Sequence, residues 1–372
     1  MSPRRPAALP TPMHDARSAI VPDDDAFLAM KRLSAQIRLL DRAQDSTTLA
    51  ARVKEGFELL RADAELSSGQ YYGAHFLTHC LTTLCDHATR RLIVLCAQRH
   101  RLPEARWCWL ALGSQGRGEL TYASDQDNAL IFSAIDGKES GILRQLLLPF
   151  AEAINEGLAH CGFPLCKGLI MAGNPAWCLS LEEWKECFSQ WIRTPEPEAL
   201  LNTTIFFDFR ALQGDAALAS ALRQYLLSLT RGNAGFLRMM ANNALAVAPP
   251  LGTLRTFSPA NAGKALDLKT YGARLFVDAA RIFALGSGIQ AVGTSARLMA
   301  ALPSRRDGEA AVGAFLHIQQ LRLGRQLAGG SEDSAFIDPG QLNRYDQRLL
   351  KEALEQARSI QGSLSTRYCR EI

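Results

Sequence analysis

No stretch of this 372-residue chain approaches the roughly 20 uninterrupted apolar residues that a membrane-crossing helix requires. A membrane-spanning protein is therefore not expected. The nine cysteines include no CxxC pair, and the seven histidines are scattered without metal-ligand spacing, so a structural zinc site is not expected either. Most of the thiols stand in apolar surroundings, where free cysteine behaves as a small hydrophobe. They point to a reducing, cytoplasmic setting. An excess of either charge is also missing. Lys and Arg number 41 against 37 Asp and Glu, a net +4, and the concentrated basic face of a nucleic-acid binder is absent. The opening MSPRRPAALPTPMHDARS carries two arginines but no continuous apolar segment, so it does not read as a secretory signal. Its prolines at 3, 6, 10 and 12 suggest a disordered tail over 1–24. No internal repeat or low-complexity tract is present.

What remains is an ordinary globular composition, 47% hydrophobic and 21% charged, long enough for two or three domains. From 25 to 104 the pattern is helical. Leu49, Val53, Phe57 and Leu60 share one helix face behind an Asp45-Ser46 cap, and Leu77, Leu81, Leu84, Ala88, Leu92 and Leu95 share another. From 105 to 192 helix and strand patterns alternate. RTPEP at 193–197 reads as a linker, and helical patterns then fill 198–372: Leu200–Leu212, Ala216–Leu229, Gly235–Ala246, Leu275–Gly286, Thr294–Ala301, Gly308–Leu327 and Asp346–Leu364.

The stretch that carries chemistry is WCWLALGSQGRGELTYASDQDNALIF, Trp107–Phe132. Trp107–Leu112 reads as a buried strand. Gly113-Ser114 ends it with a residue that tolerates positive φ and close backbone approach to a ligand. A short helix should follow, then a second strand through Ala129–Phe132. Asp125 and Asp127 stand two apart at that strand's entrance, so on extended backbone both carboxylates face the same way. Two acids held together repel unless a cation lies between them, and a divalent metal is the economical solution. Lys167–Ala172 reads as a third strand.

Gly-Ser followed eleven positions later by Asp-x-Asp (Ser114 to Asp125) resembles the signature of the DNA polymerase β-like nucleotidyltransferase superfamily. The fuller string GSQGRGELTYASDQDNALI resembles a narrower bacterial nucleotidyltransferase family, related to the PII uridylyltransferase and often fused to CBS and cyclic-nucleotide-binding modules. GFPLCKGLIMAGNPAWCLSLEEW, IFFDFRALQGD and DLKTYGARLFVDAARIFAL extend the likeness to the C-terminal half. The resemblance implies an α+β protein: N-terminal helices, a small mixed sheet with helices on one side as the nucleotidyltransferase core (105–192), and a C-terminal helical bundle (198–372) that binds substrate. It also implies Mg2+ or Mn2+ on Asp125 and Asp127, and an NTP whose phosphates meet Gly113, Ser114 and Arg117. Ser124 would bond a phosphate or cap its own turn. Lys269 or Arg274 would reach the triphosphate from the helical half. A hydroxyl of a protein or of a small molecule is implied as acceptor, with a homodimer or partner protein engaging the helical regions, and neither nucleic acid nor membrane.

Each reading has a plainer rival. Arg117 can pair with Glu119, and Asp278 with Arg281 can form a structural i,i+3 helix pair. Trp177, Trp184 and Trp191, seven apart, form a packed stripe more readily than a base-stacking platform. The superfamily's third carboxylate has no counterpart in KGLIMAGN. Asp208 and Asp267 are the substitutes, each with a nearby cation (Arg210, Lys269) that would make it structural. No His…His-Asp…Asp hydrolase set accompanies the motif, so transfer without a removal activity is expected.

Overall fold

The computed structural model describes residues 24–66, 73–252, 265–329 and 336–369; the tail expected over 1–24 lies outside them up to residue 23. Three helices come first, α1 (Asp24–Asp41), α2 (Ser46–Leu66) and α3 (Gly73–Ala97). The sheet follows. β1 (Trp107–Ala111) leads into the short α4 (Gly113–Arg117), β2 (Asn128–Phe132) returns antiparallel, and α5 (Gly137–His160) packs on it. β3 (Cys178–Ser180) runs parallel to β2, and α6 (Leu181–Arg193) and α7 (Pro197–Phe206) precede β4 (Arg210–Gly214), antiparallel to β1. The order is β3-β2-β1-β4, a small mixed sheet as expected.

Three details differ from the sequence reading. Lys167–Ala172 is not a strand: Leu169 sits at φ 55°, which breaks extended backbone, and the third strand lies at Cys178–Ser180. The helix expected over Leu200–Leu212 stops at Phe206, and its second half becomes β4, so the sheet draws a strand from beyond residue 192. Helices also cover both faces of the sheet. Cys108 and Leu110 of β1 with Ala129 and Ile131 of β2 pack with α6 and the C-terminal helices, while Trp109, Ala111, Leu130 and Phe132 pack with α3 and α5. Burial on both sides is why these strands read as continuous apolar runs rather than alternating ones.

The C-terminal helices are α8 (Ala216–Thr230), α9 (Ala234–Leu245), α10 (Arg274–Ser287), α11 (Thr294–Ala301), α12 (Arg305–Leu327) and α13 (Arg344–Tyr368). Every residue of α10 from Leu275 to Leu285 is buried, which makes it the central helix of this half. A widened π-turn, Lys269–Ala273, precedes it, with the Arg274 N–H reaching the Lys269 carbonyl. Just upstream, β5 (Leu266–Asp267) pairs with β6 (Phe336–Ile337). The three tryptophans pack together as a stripe. Trp177 stacks on Trp184 at 6.1 Å and 18°, and meets Trp191 at 6.4 Å with the rings tilted by 58°.

Candidate functional site

The end of β1 and the entrance to β2 form one surface. The Leu112 N–H donates to the Asp127 carbonyl at 3.0 Å, continuing the ladder past the strands. Gly113 then turns at φ +50°, and a Cβ there would lie 2.7 Å from Asp127 Oδ2. Only glycine fits both the dihedral and the approach. Behind the turn, a Cβ on Gly116 would overlap the Asp208 carbonyl oxygen, so α4 can be pressed against β4's lead-in only without a side chain there.

The acids are aimed by the residues between them. Gln126 and Asn128 are buried, and Gln126 Nε2 donates to the carbonyls of Asn155 (3.0 Å) and Phe163 (2.9 Å). Asn155 Nδ2 donates to Gln126 Oε1 and Asn128 Oδ1, both at 2.9 Å, and Asn128 Oδ1 also accepts from the Ala172 N–H. With alternate residues anchored inward, Asp125 and Asp127 face the other way. Sequence reasoning passed over this amide network, although the period-two alternation of Asp125-Gln126-Asp127-Asn128 carries its signal.

Asp125 is exposed and Asp127 half-buried. Burial, followed by the like charge of Asp125, pushes the Asp127 carboxyl up to about 6, against the Cys166 thiol, which donates to it, and the positive fields of Arg117 and Lys269. A cation bound beside Asp127 would offset both the burial and the repulsion that disfavour its charged form. Among the described residues no cluster of three His, Cys, Asp or Glu gathers around a metal position, so the protein offers two carboxylates. That donor set fits Mg2+, which binds through one or two carboxylates and takes its other ligands from phosphates and water.

The remaining candidates fall into distinct places. Ser114 opens α4, whose first-turn N–H groups have no side-chain cap. Lys269 stands on the π-turn, close enough for its charge to lower the Asp127 carboxyl. Ser124 is engaged in its own turn, with Oγ accepting from the Thr121 N–H at 2.9 Å. Arg274 Nε donates to Asp278 at 3.1 Å. Arg117 pairs with Glu119 and also with Asp208, at 2.8 Å each.

Asp208 does not pair with Arg210. It is fully buried and receives Arg281 (2.6 Å), Arg297 (2.5 Å) and Arg117. Burial alone would raise its carboxyl, but the three guanidiniums hold it far below the usual range. Arg210 instead makes two 2.7 Å bonds to Asp86 of α3, which also accepts from Gln115 Nε2 at 3.0 Å. Asp267 accepts from the Lys269 and Thr270 N–H groups at 2.8 and 3.1 Å, setting the π-turn. The residues brought together at the surface are thus Gly113, Ser114, Asp125, Asp127 and Lys269, with Arg117 braced behind them.

Two family models match the sequence. "Putative nucleotidyltransferase DUF294" covers 64–198, from late α2 to the start of α7, and "Putative nucleotidyltransferase substrate binding domain" covers 234–368, from α9 to the end of α13. Among curated proteins none matches. β4 and Asp208 fall between the two matched segments and stitch them together. With both of its halves accounted for, the chain belongs to this family of nucleotidyltransferases.

Proposed function

We propose that the protein transfers a nucleoside monophosphate from an NTP to a hydroxyl and releases pyrophosphate, with a protein hydroxyl as acceptor in the manner of the PII uridylyltransferase. The observation that carries this reading is the meeting of Gly113 with Asp127 beside the uncapped start of α4. Phosphoryl-type transfer needs positioning and charge neutralisation more than covalent chemistry from the protein. Asp125 and Asp127 would hold Mg2+ or Mn2+, which when bound neutralises the phosphates and the leaving pyrophosphate. The α4 N–H groups and the Ser114 hydroxyl bind phosphate oxygens, and Lys269 adds a cation from the helical half. Gln126, Asn128 and Asn155 keep both carboxylates on one face.

A second reading is a nucleotide sensor without turnover. It is favoured by the state of the substitute bases: Asp208 is sealed among three arginines, and Asp267 holds the π-turn. Calorimetric titration of the four NTPs, in non-hydrolysable form and with or without magnesium, tests the shared site. Binding of one nucleotide that needs magnesium is expected, and no binding of any would sink both readings. Pyrophosphate release with the hydrolysable nucleotide then separates enzyme from sensor.

A further inference from the structure

Arg322 is the anomaly among the charged groups of the C-terminal half. The buried arginines elsewhere in this half are satisfied. Arg281 and Arg297 bond Asp208, and Arg223 donates to the carbonyls of Phe207 (2.8 Å) and Phe209 (2.5 Å). Arg322 donates through Nη1 to Gln319 Oε1 at 2.5 Å, but its Nε is sealed from solvent with no partner among the described residues. Among the described residues no carboxylate forms a salt bridge with it. Burial lowers its guanidinium to about 10, with Asp267, Arg117 and Glu119 near enough for their fields to reach it.

Its place in the fold explains what such a group is for. One turn before it on α12, Ile318 packs against Gly272 of the π-turn that carries Lys269. One turn after it, Gln326 Nε2 donates to Thr121 Oγ1, in the loop leading to the acids, at 3.3 Å. Arg322 therefore lies in the seam between the α4–Asp127 surface and the helical half. Two more buried polar atoms at this seam lack partners, Gln326 Oε1 and Thr294 Oγ1; the Thr294 backbone N–H is tied to Glu119 at 2.7 Å. An unmatched charged donor costs more than a neutral one, and a native fold that keeps one calls for an explanation such as a ligand. The residue as a whole is half-buried rather than enclosed.

We infer that Arg322 is an anion-binding residue that takes an oxyanion, phosphate or carboxylate, of a substrate lodged in the seam. A guanidinium fork suits two oxygens of one such group. The role assigned to the neighbouring acids rests on the nucleotidyl-transfer reading, but the anion site itself does not. The oxyanion belongs either to the donor's phosphates or to an acidic group of the acceptor.

The test titrates inorganic phosphate and tripolyphosphate, without metal, into the full chain, Arg322→Gln, Arg322→Lys and the double variant Asp125→Asn, Asp127→Asn. The wild type and the double variant should bind tripolyphosphate. Arg322→Gln should bind it about 10- to 100-fold more weakly, with partial recovery in Arg322→Lys. Arg322→Gln should also melt no lower than wild type, because it removes a buried charge that no described carboxylate balances. Equal anion affinity in wild type and Arg322→Gln overturns the assignment, as does absence of anion binding in both. A readout free of folding effects is the 15N NMR signal of the Arg322 Nε–H, identified by its loss in Arg322→Lys. It should move as phosphate saturates the wild type, and a stationary signal overturns the proposal. Non-hydrolysable NTP with magnesium assigns the source: an equal loss in Arg322→Gln marks the donor's phosphates, an unchanged affinity the acceptor's acid. Anion binding through Arg322 without magnesium-dependent NTP binding would remove the nucleotidyl-transfer reading and leave this site standing.

Discussion

Gly116 and Gly118 stand two apart in one motif and do different jobs. Gly116 has the Asp208 backbone carbonyl where a Cβ would go, whereas Gly118 faces open space and is special only in its φ of +76°. Gly116→Ala must displace backbone, which overpacking data place at about 3 kcal/mol. Gly118→Ala meets only the left-handed penalty, about 1 kcal/mol. Urea unfolding of the two variants checks this ordering, and equal losses would contradict the packing seen here. At the acids the expectation reverses. Asp127 is disfavoured as an anion by burial and by Asp125, so Asp127→Asn should leave the metal-free melting temperature unchanged or raise it. Magnesium with nucleotide should then raise the melting temperature of the wild type alone. A thermal scan with and without both ligands decides it, and a large fall in the metal-free variant would mean the carboxylate is structural.

At the scale of elements, much of the fold was legible because its helices are amphipathic. The expected Ala216–Leu229, Thr294–Ala301 and Asp346–Leu364 lie within a few residues of α8, α11 and α13. The sheet was legible at β1 and β2, where the apolar runs are bounded by turn residues, and misread at its edges. A three-residue strand such as β3 carries almost no periodicity, and β4 follows helical sequence with no proline or glycine between them. In the site, the glycines, the acids and Lys269 were legible from motif and resemblance. The alternation of Asp125-Gln126-Asp127-Asn128 carried the inward facing of the amides, but not their partners, because contacts from Gln126 to Asn155 and Phe163 depend on how α5 closes on the sheet. One element boundary did carry an unread local signal: Ser180 and Glu183 form a capping box at the start of α6. Burial alone would raise the Glu183 carboxyl, but bonds from Arg144, the Ser180 N–H and Ser140 outweigh it and hold it down to about 2. Depressed below its unfolded value, this acid contributes stability that is whole above about pH 4.5 and lost as pH falls toward 2. Allowing for the pair's partial exposure, the contribution is on the order of 1 kcal/mol. Glu183→Gln should lose that much at pH 7 and nothing near pH 2, as chemical denaturation at the two values would reveal; a deficit independent of pH would show that lost packing is the cause.

At the scale of the whole molecule, the two family-matched segments are joined through a balanced charge cluster. Arg117, Arg281 and Arg297 face Asp208, Asp278 and Glu119, drawn from α4, the lead-in to β4, α10 and α11. The cations are not equivalent. Burial weakens the charged form of each, but Asp208 and Asp278 together more than restore Arg281, which is held above the ordinary arginine range. Arg297 has, among the described carboxylates, Asp208 alone and stays below it. Asp208→Asn strands three buried guanidiniums on two carboxylates at the edges of the cluster, and breaking a buried pair from one side costs about 3–5 kcal/mol. Arg281→Met should approach that loss, because it removes the two-pronged partner of Asp208 and leaves Asp278, among the described residues, with the part-exposed Arg274 alone. Arg297→Met removes the cation least well held, leaves Asp208 with two arginines, and replaces a desolvated charge with apolar volume, a change often near neutral. The expected order of destabilisation in guanidinium chloride is Asp208→Asn, then Arg281→Met, then Arg297→Met. Arg117 reaches the acid pair from this cluster, so Asp208→Asn should also weaken magnesium-dependent nucleotide binding even where the protein remains folded. Should Arg297→Met prove the worst of the three, the cluster would be held by shape rather than charge, and Arg117 would owe its position to α4 instead of Asp208.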